Sequence, residues 1–301
     1  MQTRVLPFTD ETIAEASRLI IAGGPVAVPT ETVYGLAADA TNPEAVARIY
    51  EAKGRPSFNP LIVHVTGLAA AERIGEFDND ARALVQRHWP GPLTLVVPLR
   101  VGAGIASIVS AGLPTIGLRV PAHPAMQALL RATSCPLAAP SANASGSISP
   151  TRAEHVLKSL GGRIPLVIDS GATERGIEST IVAVTADGPR LLRPGPIDVD
   201  AQPASNAKIE SPGQLASHYA PSKPLRLGAT AADADEYLIG FGARGGDSNL
   251  SETGDLVEAA ARLFDLLHAA DESAKPRIAV APVPGEGLGA AINDRLQRAA
   301  A

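Results

Sequence analysis

The chain has 301 residues, 45% of them hydrophobic and 19% charged, which excludes an intrinsically disordered protein and allows a sizeable core. Its formal net charge of -5 argues against binding nucleic acid through a broadly basic surface. The single cysteine, Cys135, excludes a disulfide framework and a cysteine-based zinc site, and its apolar neighbours in SCPLAAP favour a small buried hydrophobic residue.

The first part of the chain alternates helix and strand signals. Apolar residues at helical spacing predict an amphipathic helix over 10–22, which ends at a pair of glycines. PVAVP (25–29) is typical of a short buried strand. Asn42 and Pro43 predict the start of a second helix, which Gly54 ends. PLIVHVT (60–66) then predicts another strand.

The same alternation continues to about residue 196. Helices are predicted around 79–89, over 122–132, and over 151–160, where Thr151 and Glu154 suggest a capping box. Strands are predicted in WPGPLTLVVPL, TIGLRVP, residues 136–139, PLVIDSG and STIVAV. Mixed strands and helices over this length predict one α/β domain spanning 1–196.

Beyond residue 196 the composition changes. Residues 197–224 are rich in Pro, Ser and Ala, with little periodicity, and predict a linker. Residues 225–301 combine short apolar runs with one clear helical pattern and predict a second, smaller α/β domain. The glycines of GEGLGA favour a turn before a helix over a phosphate-binding loop. The chain start shows no signal-peptide pattern and no run is long enough to span a bilayer, so we expect a cytoplasmic protein.

The corner Lys53-Gly54-Arg55-Pro56 is the first candidate site. A lysine in a last helical turn commonly complements the helix dipole, and that accounts for Lys53 alone. Arg55 lies beyond the glycine, and Pro56 restricts its backbone to extended geometry. Two cations held in this way suit a polyphosphate, although the sequence contains no P-loop motif.

Two polar residues interrupt apolar strands. In 61–66, His64 shares one face with Ile62 and Thr66, so it is either a core histidine or a group lining a pocket. In 115–120, Arg119 shares a face with Thr115 and Gly117, and a glycine in a strand often marks the close approach of a ligand or backbone. A buried arginine needs an anion, which is either an internal carboxylate or a ligand's carboxylate or phosphate.

Long ungapped strings between residues 29 and 196 resemble the YrdC-like family of threonylcarbamoyl-AMP synthases, in its two-domain form. The strings are PTETVYGLAADA, KGRPSFNPLIVHV, WPGPLTLVV, GLRVPAHP, APSANASGSISPT, GIESTIV and LLRPGP. SPGQLASHYAP and GLGAAINDRL resemble the C-terminal extension of longer members. The resemblance implies an open, twisted mixed α/β sheet whose concave face holds the substrates.

The resemblance also implies a nucleotidyltransferase that forms threonylcarbamoyl-AMP and pyrophosphate from L-threonine, bicarbonate and ATP. The product would pass to a tRNA threonylcarbamoyl transferase for N6-threonylcarbamoyladenosine formation, with weak or no direct tRNA binding. No metal ligands are implied in the chain, and Mg²⁺ would be held by the ATP phosphates. Expected threonine contacts are Thr32, His64, Arg119, Ala139 and Ser179. Expected ATP contacts are Arg55, Asn59, Thr115, Ser141, Asn143, Ser149, Arg193 and Tyr219, with Lys53 and Arg55 as the catalytic cations.

The sequence departs from the family pattern at 214–217, where Gln-Leu-Ala-Ser replaces a stretch that usually holds basic and aromatic residues. The replacement removes a cation and an aromatic side chain from the segment that the resemblance places over the site. Two other functions stay open. A non-catalytic RNA-binding module is disfavoured by the negative net charge. A carbamoyl-transfer domain of the hydrogenase-maturation type is disfavoured because such proteins carry cysteine-rich zinc segments.

Overall fold

A computed structural model describes residues 1–203, 210–214 and 217–301. The helices in these ranges are α1 Asp10–Ile21, α2 Pro43–Lys53, α3 Leu68–Ala71, α4 Asn79–His88, α5 Ser107–Ser110, α6 Pro124–Thr133, α7 Ala153–Leu160, α8 Leu256–Glu272 and α9 Leu288–Ala299. The strands are β1 Arg4–Pro7, β2 Val26–Pro29, β3 Tyr34–Asp39, β4 Ile62–His64, β5 Leu93–Pro98, β6 Thr115–Arg119, β7 Leu137–Ala138, β8 Leu166–Asp169, β9 Thr180–Thr185, β10 Gly188–Arg193, β11 Gln202–Pro203, β12 Leu225–Arg226, β13 Glu236–Gly240, β14 Ser248–Asn249 and β15 Arg277–Val280. Within these ranges, no helix has the length and apolar character needed to cross a bilayer.

The first eleven described strands form one mixed sheet in the order β1-β8-β2-β3-β7-β4-β6-β5-β9-β10-β11. β4 runs parallel to β6, so that His64 lies directly beside Arg119. β5 pairs antiparallel with β6 and parallel with β9. The predicted mixed α/β sheet is therefore confirmed, and its register brings the two polar interruptions of the sequence together.

The two faces of the central strands divide as their alternation predicts. Leu61, Val63 and Val65 enter the main apolar core together with Ile116, Leu118 and Val120. Helices α2, α4, α5 and α7 supply further residues to that core. Ile62 belongs instead to a small apolar cluster on the opposite face, and His64 shares that face with it. The functional residues of these strands thus point away from the main core.

Some local predictions were incomplete or wrong. No strand was predicted at β1 or β3; β3 is rich in glycine and alanine, which are depleted in strands. The capping box at Thr151 was wrong, because α7 begins at Ala153 with Arg152 at its N-cap and no side-chain cap bond. Instead the Thr151 hydroxyl lies 3.4 Å from Nδ1 of His155. Cys135 is half-buried rather than fully buried.

The C-terminal part forms a smaller α/β domain, as predicted. Its described strands make an all-parallel sheet in the order β12-β15-β13-β14, with α8 and α9 packed on it. Gly287 precedes α9 at a φ of 55°, so the GEGLGA segment is a turn before a helix. Part of the predicted linker is ordered as β11, which pairs with β10.

The two domains share a continuous apolar cluster. Val33, Ile148 and Ile177 of the first domain pack with residues of α8 and α9. The backbones also come close at Gly176, which has a φ of 68°. A Cβ atom there would lie 2.3 Å from the carbonyl oxygen of Ala261 in α8. Only glycine fits this position, so the chain before β9 and the second domain are locked together.

Gly176→Ala should therefore destabilise the protein by at least ~2 kcal/mol more than Gly171→Ala, because it adds overpacking to backbone strain. Gly171 is the matched control, because its φ is 76° and no atom lies within 4 Å of its Cβ position. Gly171→Ala should lower the free energy of unfolding only by the cost of placing alanine in the left-handed backbone conformation, about 1 kcal/mol. Denaturant unfolding measures both. Equal losses for the two variants would contradict the close contact.

Candidate active site

A cavity lies on the face of the large sheet that carries His64, between the ends of β4, β6 and β9 on one side and Pro212, Gly213, His218 and Tyr219 on the other. Its volume is about 50 Å³. The polar and charged residues that line it are Thr30, Thr32, Arg55, His64, Arg119, Ser141, Glu178, Ser179, Arg193, His218 and Tyr219. The remaining lining residues are apolar or glycine: Val33, Gly35, Ile62, Ala139, Pro140, Pro212 and Gly213.

Arg119 is fixed at the end of β6 by a buried ion pair. Its Nη2 donates to Oε1 of Glu31 at 2.6 Å, Nη1 to the Thr32 hydroxyl at 3.0 Å, and Nε to the Gly91 carbonyl at 3.3 Å. Burial would raise the pKa of Glu31, but the Arg119 guanidinium outweighs it, so the pKa of that carboxyl lies below its usual value.

Of the two sequence interpretations of Arg119, the internal carboxylate is thus present. Three of its five N–H groups serve the bonds described, which leaves two to donate to an anion in the cavity. The guanidinium is planar and held on one side by Glu31, so it is oriented in advance for a ligand carboxylate.

His64 lines the cavity beside Arg119 and is uncharged at neutral pH. Its burial, together with the Arg119 charge, lowers its pKa from 6.5 to about 3. Its Nδ1 is buried and has no hydrogen-bond partner in the described part of the chain. The ring therefore offers a neutral donor or acceptor to a ligand rather than a positive charge.

The Lys-Gly-Arg-Pro corner forms because α2 is well capped. The Asn42 side chain accepts from the Glu44 and Ala45 amides, and Gly54 ends the helix at a φ of 61°. Beyond it, Arg55 turns into the cavity wall, where Nε donates to the Asn59 carbonyl at 3.2 Å and Nη2 to the Pro60 carbonyl at 2.9 Å. Burial lowers the pKa of Arg55 to about 10, and the side chain remains a cation at neutral pH.

Lys53 does not line the cavity. Its Nζ donates to the carbonyl oxygens of Ser141, at 2.6 Å, and Asn143. Burial lowers its pKa well below the usual value, and the Arg55 charge adds to this. Lys53 therefore fixes the backbone of the loop after β7, which carries Ser141 and leads to Ser149.

The opposite wall is built on β9 and β10. Arg193 donates to the Ser179 carbonyl through Nε at 3.1 Å and Nη2 at 2.9 Å. The Ser179 hydroxyl also lies 2.8 Å from that of Thr94. In the described residues, no carboxylate oxygen lies within 4.0 Å of the Arg193 or Arg55 guanidinium. Two buried cations thus face the cavity with only carbonyl and hydroxyl partners.

Tyr219 closes the cavity from the linker. It is buried, with a φ of 65°, an uncommon backbone conformation for a bulky residue. Its hydroxyl is buried without a partner among the described residues. Gly213 leaves room for it, since a Cβ there would lie 2.8 Å from that hydroxyl. A cavity of about 50 Å³ holds a few waters and is too small for a nucleotide.

Most residues predicted from the sequence meet in this cavity. Those that line it are Thr32, Arg55, His64, Arg119, Ala139, Ser141, Ser179, Arg193 and Tyr219. Asn59, Asn143 and Ser149 are buried outside the lining, and Thr115 lines a small adjoining cavity with Pro212. Of the departure at 214–217, residues 215 and 216 lie outside the described residues.

Four important residues were not predicted. Glu31, Glu178, Thr30 and His218 belong to or support the cavity wall. Glu31 and Glu178 stand in the strings PTET and GIEST, next to residues that were predicted. These two glutamates could have been predicted from the sequence, because a buried arginine needs a carboxylate or another anion as its partner. In the described ranges, no three His, Cys, Asp or Glu side chains come together as a metal site.

Comparisons with known proteins agree with this arrangement. The Sua5_yciO_yrdC family model, described as "Telomere recombination", matches residues 18–195. A second, described as "Threonylcarbamoyl-AMP synthase, C-terminal domain", matches residues 173–301. The chain belongs to the Sua5/YciO/YrdC family. The resemblance inferred from the sequence strings is thereby confirmed, including the two-domain form.

Relatives in this family align over nearly the whole chain. The threonylcarbamoyl-AMP synthase of Bacillus subtilis is 40% identical, over 99% of this chain and 95% of the relative. That of Pyrococcus abyssi is 38% identical, over 94% of this chain and 92% of the relative. The crystal structure of P. abyssi Sua5 complexed with L-threonine matches with a TM-score of 0.90 and 34% identity, covering 99% of this chain and 97% of that one.

His64→Gln should make stability less sensitive to acid. The unfolded state takes up a proton near pH 6.5, whereas native His64 does so only near 3. The free energy of unfolding should therefore fall as the pH drops below 6.5, by up to ~1.4 kcal/mol per pH unit for this group. Urea unfolding between pH 6.5 and 4.5 should show a shallower slope for His64→Gln. The control His88→Gln, at a half-buried position, should keep most of the slope; equal slopes for all three proteins would contradict a neutral His64.

Proposed function

We propose that the protein is a nucleotidyltransferase that joins L-threonine, bicarbonate and ATP into threonylcarbamoyl-AMP and releases pyrophosphate. The observation that carries the proposal is the pair of buried guanidiniums, Arg55 and Arg193, that face the cavity without a carboxylate partner. Glu178 offsets part of the Arg193 charge, but neither guanidinium makes a direct ion pair among the described residues, so this wall favours an anionic ligand. The names of the relatives that align over nearly the whole chain give the product, threonylcarbamoyl-AMP, and the P. abyssi structure contains L-threonine.

The threonine half of the site is the wall around Arg119. The Arg119 fork receives the threonine carboxylate, while Glu31 holds the guanidinium in place. Thr32, His64, Ala139 and Ser179 surround the rest of the amino acid. A neutral His64 fits this role because it can accept a hydrogen bond from the substrate without repelling its ammonium group.

The ATP half is the wall formed by Arg55, Arg193 and the loop after β7. Arg55 is the cation next to the reacting phosphates, and Lys53 positions the loop backbone. Mg²⁺ enters with ATP, bound to the phosphate oxygens. The side-chain amide of Asn59, Oδ1 of Asn143 and the Tyr219 hydroxyl are buried without hydrogen-bond partners among the described residues. We assign these polar atoms to ATP, because buried polar groups are normally hydrogen-bonded. The further proposed contacts are Asn59, Thr115, Ser141, Asn143, Ser149 and Tyr219.

The chemistry needs positioning and charge stabilisation rather than a protein nucleophile. Bicarbonate takes up a proton and loses water to give CO₂. The threonine ammonium releases one proton to solvent, its nitrogen attacks the CO₂ carbon as one C=O π bond opens, and loss of a second N–H proton leaves the carbamate. A carbamate oxygen then attacks the α-phosphate, the bond to the β-phosphate oxygen breaks, and pyrophosphate leaves. Negative charge gathers on the phosphate oxygens, where pre-oriented buried cations are most effective. The product would then pass to a tRNA threonylcarbamoyl transferase, and we expect weak or no direct tRNA binding by this chain.

Pyrophosphate release should require L-threonine and bicarbonate together. A coupled assay with ATP and each of the twenty amino acids, with and without bicarbonate, measures this. Release that needs threonine but not bicarbonate would indicate simple adenylation of the amino acid. Release indifferent to both, or RNA binding with no turnover at all, would contradict the proposed reaction.

Arg119→Lys should weaken L-threonine binding at least tenfold, ~1.4 kcal/mol, and change ATP affinity less than twofold. Lysine keeps a positive charge opposite Glu31, which protects the fold, but loses the planar fork. Calorimetric titration with each ligand makes the measurement. Arg131→Lys, on the exposed side of α6, is the control and should change neither affinity. Equal losses for both ligands in Arg119→Lys would mean that Arg119 is only structural.

A further inference from the structure

Arg295 belongs to the second domain but lies against the site. It is on α9 and is fully buried. Its Nε donates to Oε2 of Glu178 at 3.0 Å, and its Nη1 donates to the Pro194 carbonyl at 2.8 Å. Nη1 also bonds to Asp294 at 2.9 Å, and the guanidinium lies 5.5 Å from the centre of the Tyr219 ring. One side chain therefore contacts the cavity wall, the turn after β10 and the closing tyrosine.

Glu178 is the partner that makes this contact important. It lines the cavity immediately before Ser179, and its Oε1 accepts the Ser149 hydroxyl at 2.5 Å. Burial would raise the pKa of Glu178, but the Arg295 and Arg193 charges outweigh it, so the carboxyl is ionised. The other charged or titratable groups around it are His218, Tyr219 and Asp294.

We propose that Arg295 is a positioning residue through which the second domain fixes the charge and geometry of the nucleotide wall. It neutralises Glu178, which would otherwise stand as an unpaired carboxylate beside bound phosphates. It also holds Glu178 where it orients Ser149 and the adjoining Ser179 backbone. The inference deepens the proposed function, because it assumes that the anion in this wall is ATP.

The packing around Arg295 holds its side chain in one position. Its helix packs in the apolar cluster shared by the two domains, and the contact at Gly176 locks the chain two residues before Glu178. A separate interdomain ion pair, from Arg152 to Asp265 at 2.8 Å, is half-exposed and does not line the cavity. It therefore serves as a comparison for an ion pair that holds the domains together and does nothing else.

The test compares Arg295→Met, Arg295→Lys, the double variant Glu178→Gln/Arg295→Met, and the control Arg152→Met. ATP affinity is measured by calorimetry between pH 5.5 and 8.5, with L-threonine affinity and thermal midpoint alongside. ATP and L-threonine binding by the wild-type protein tests the proposed function. The ratio of each variant's affinity to that of the wild type tests the role of Arg295.

Arg295→Met should weaken ATP binding at least tenfold at pH 8.5, with recovery as the pH falls and Glu178 takes up a proton. L-threonine affinity should change less than threefold. The double variant, which removes the charges of Arg295 and Glu178 together, and Arg295→Lys should both return to within about fivefold of wild type at every pH. Arg152→Met should leave both affinities unchanged.

An ion pair that only joins the domains would behave differently. The double variant would then bind ATP no better than Arg295→Met, and the loss would not vary with pH. Both affinities would instead fall together, in step with the thermal midpoint. The double variant and Arg295→Lys keep the test decisive if Arg295→Met does not fold, because each avoids leaving an unpaired carboxylate in the interior.

Discussion

The burial of positive charge is the constraint on which the rest of this structure depends. Arg55, Arg119, Arg193 and Arg295 are all less than a tenth exposed, and they surround one small cavity. Each must be held by several acceptors, because a buried guanidinium without partners would destabilise the fold. Two of them have a carboxylate, Glu31 for Arg119 and Glu178 for Arg295, and two have only neutral oxygens. The imbalance leaves two cations at the cavity wall without a direct ion pair among the described residues.

The fold can be understood as a means of placing these groups. Parallel pairing of β4 and β6 sets His64 beside Arg119, and the cap and glycine end of α2 set Arg55 at the same wall. The second domain adds a further cation, and the chain between the domains supplies Tyr219, which seals the cavity. Burial of these groups at low dielectric strengthens their electrostatic interactions with a bound ligand.

Local patterns were sufficient to predict much of this. Strand alternation identified the faces of His64 and Arg119, and capping signals identified α2 and the corner after it. The resemblance to a family supplied residues that no local pattern indicated, such as Asn59 and Ser149. Contacts between distant residues were not predictable: Glu178 and Arg295 are 117 residues apart, and Lys53 and Asn143 are 90 apart. β3 was missed because its glycine and alanines carry a weak strand signal, while tertiary pairing with β2 and β7 makes it a strand.

The central claim is that one closed, cationic site joins an amino acid, a carbon from bicarbonate and the α-phosphate of ATP. Mass spectrometry of the nucleotide product formed with ¹³C-bicarbonate and L-threonine tests it most directly. The account predicts an AMP conjugate that contains threonine and one ¹³C atom, and whose label is lost when unlabelled bicarbonate is supplied. An unlabelled threonyl-AMP, or AMP and ADP with no conjugate, would contradict it.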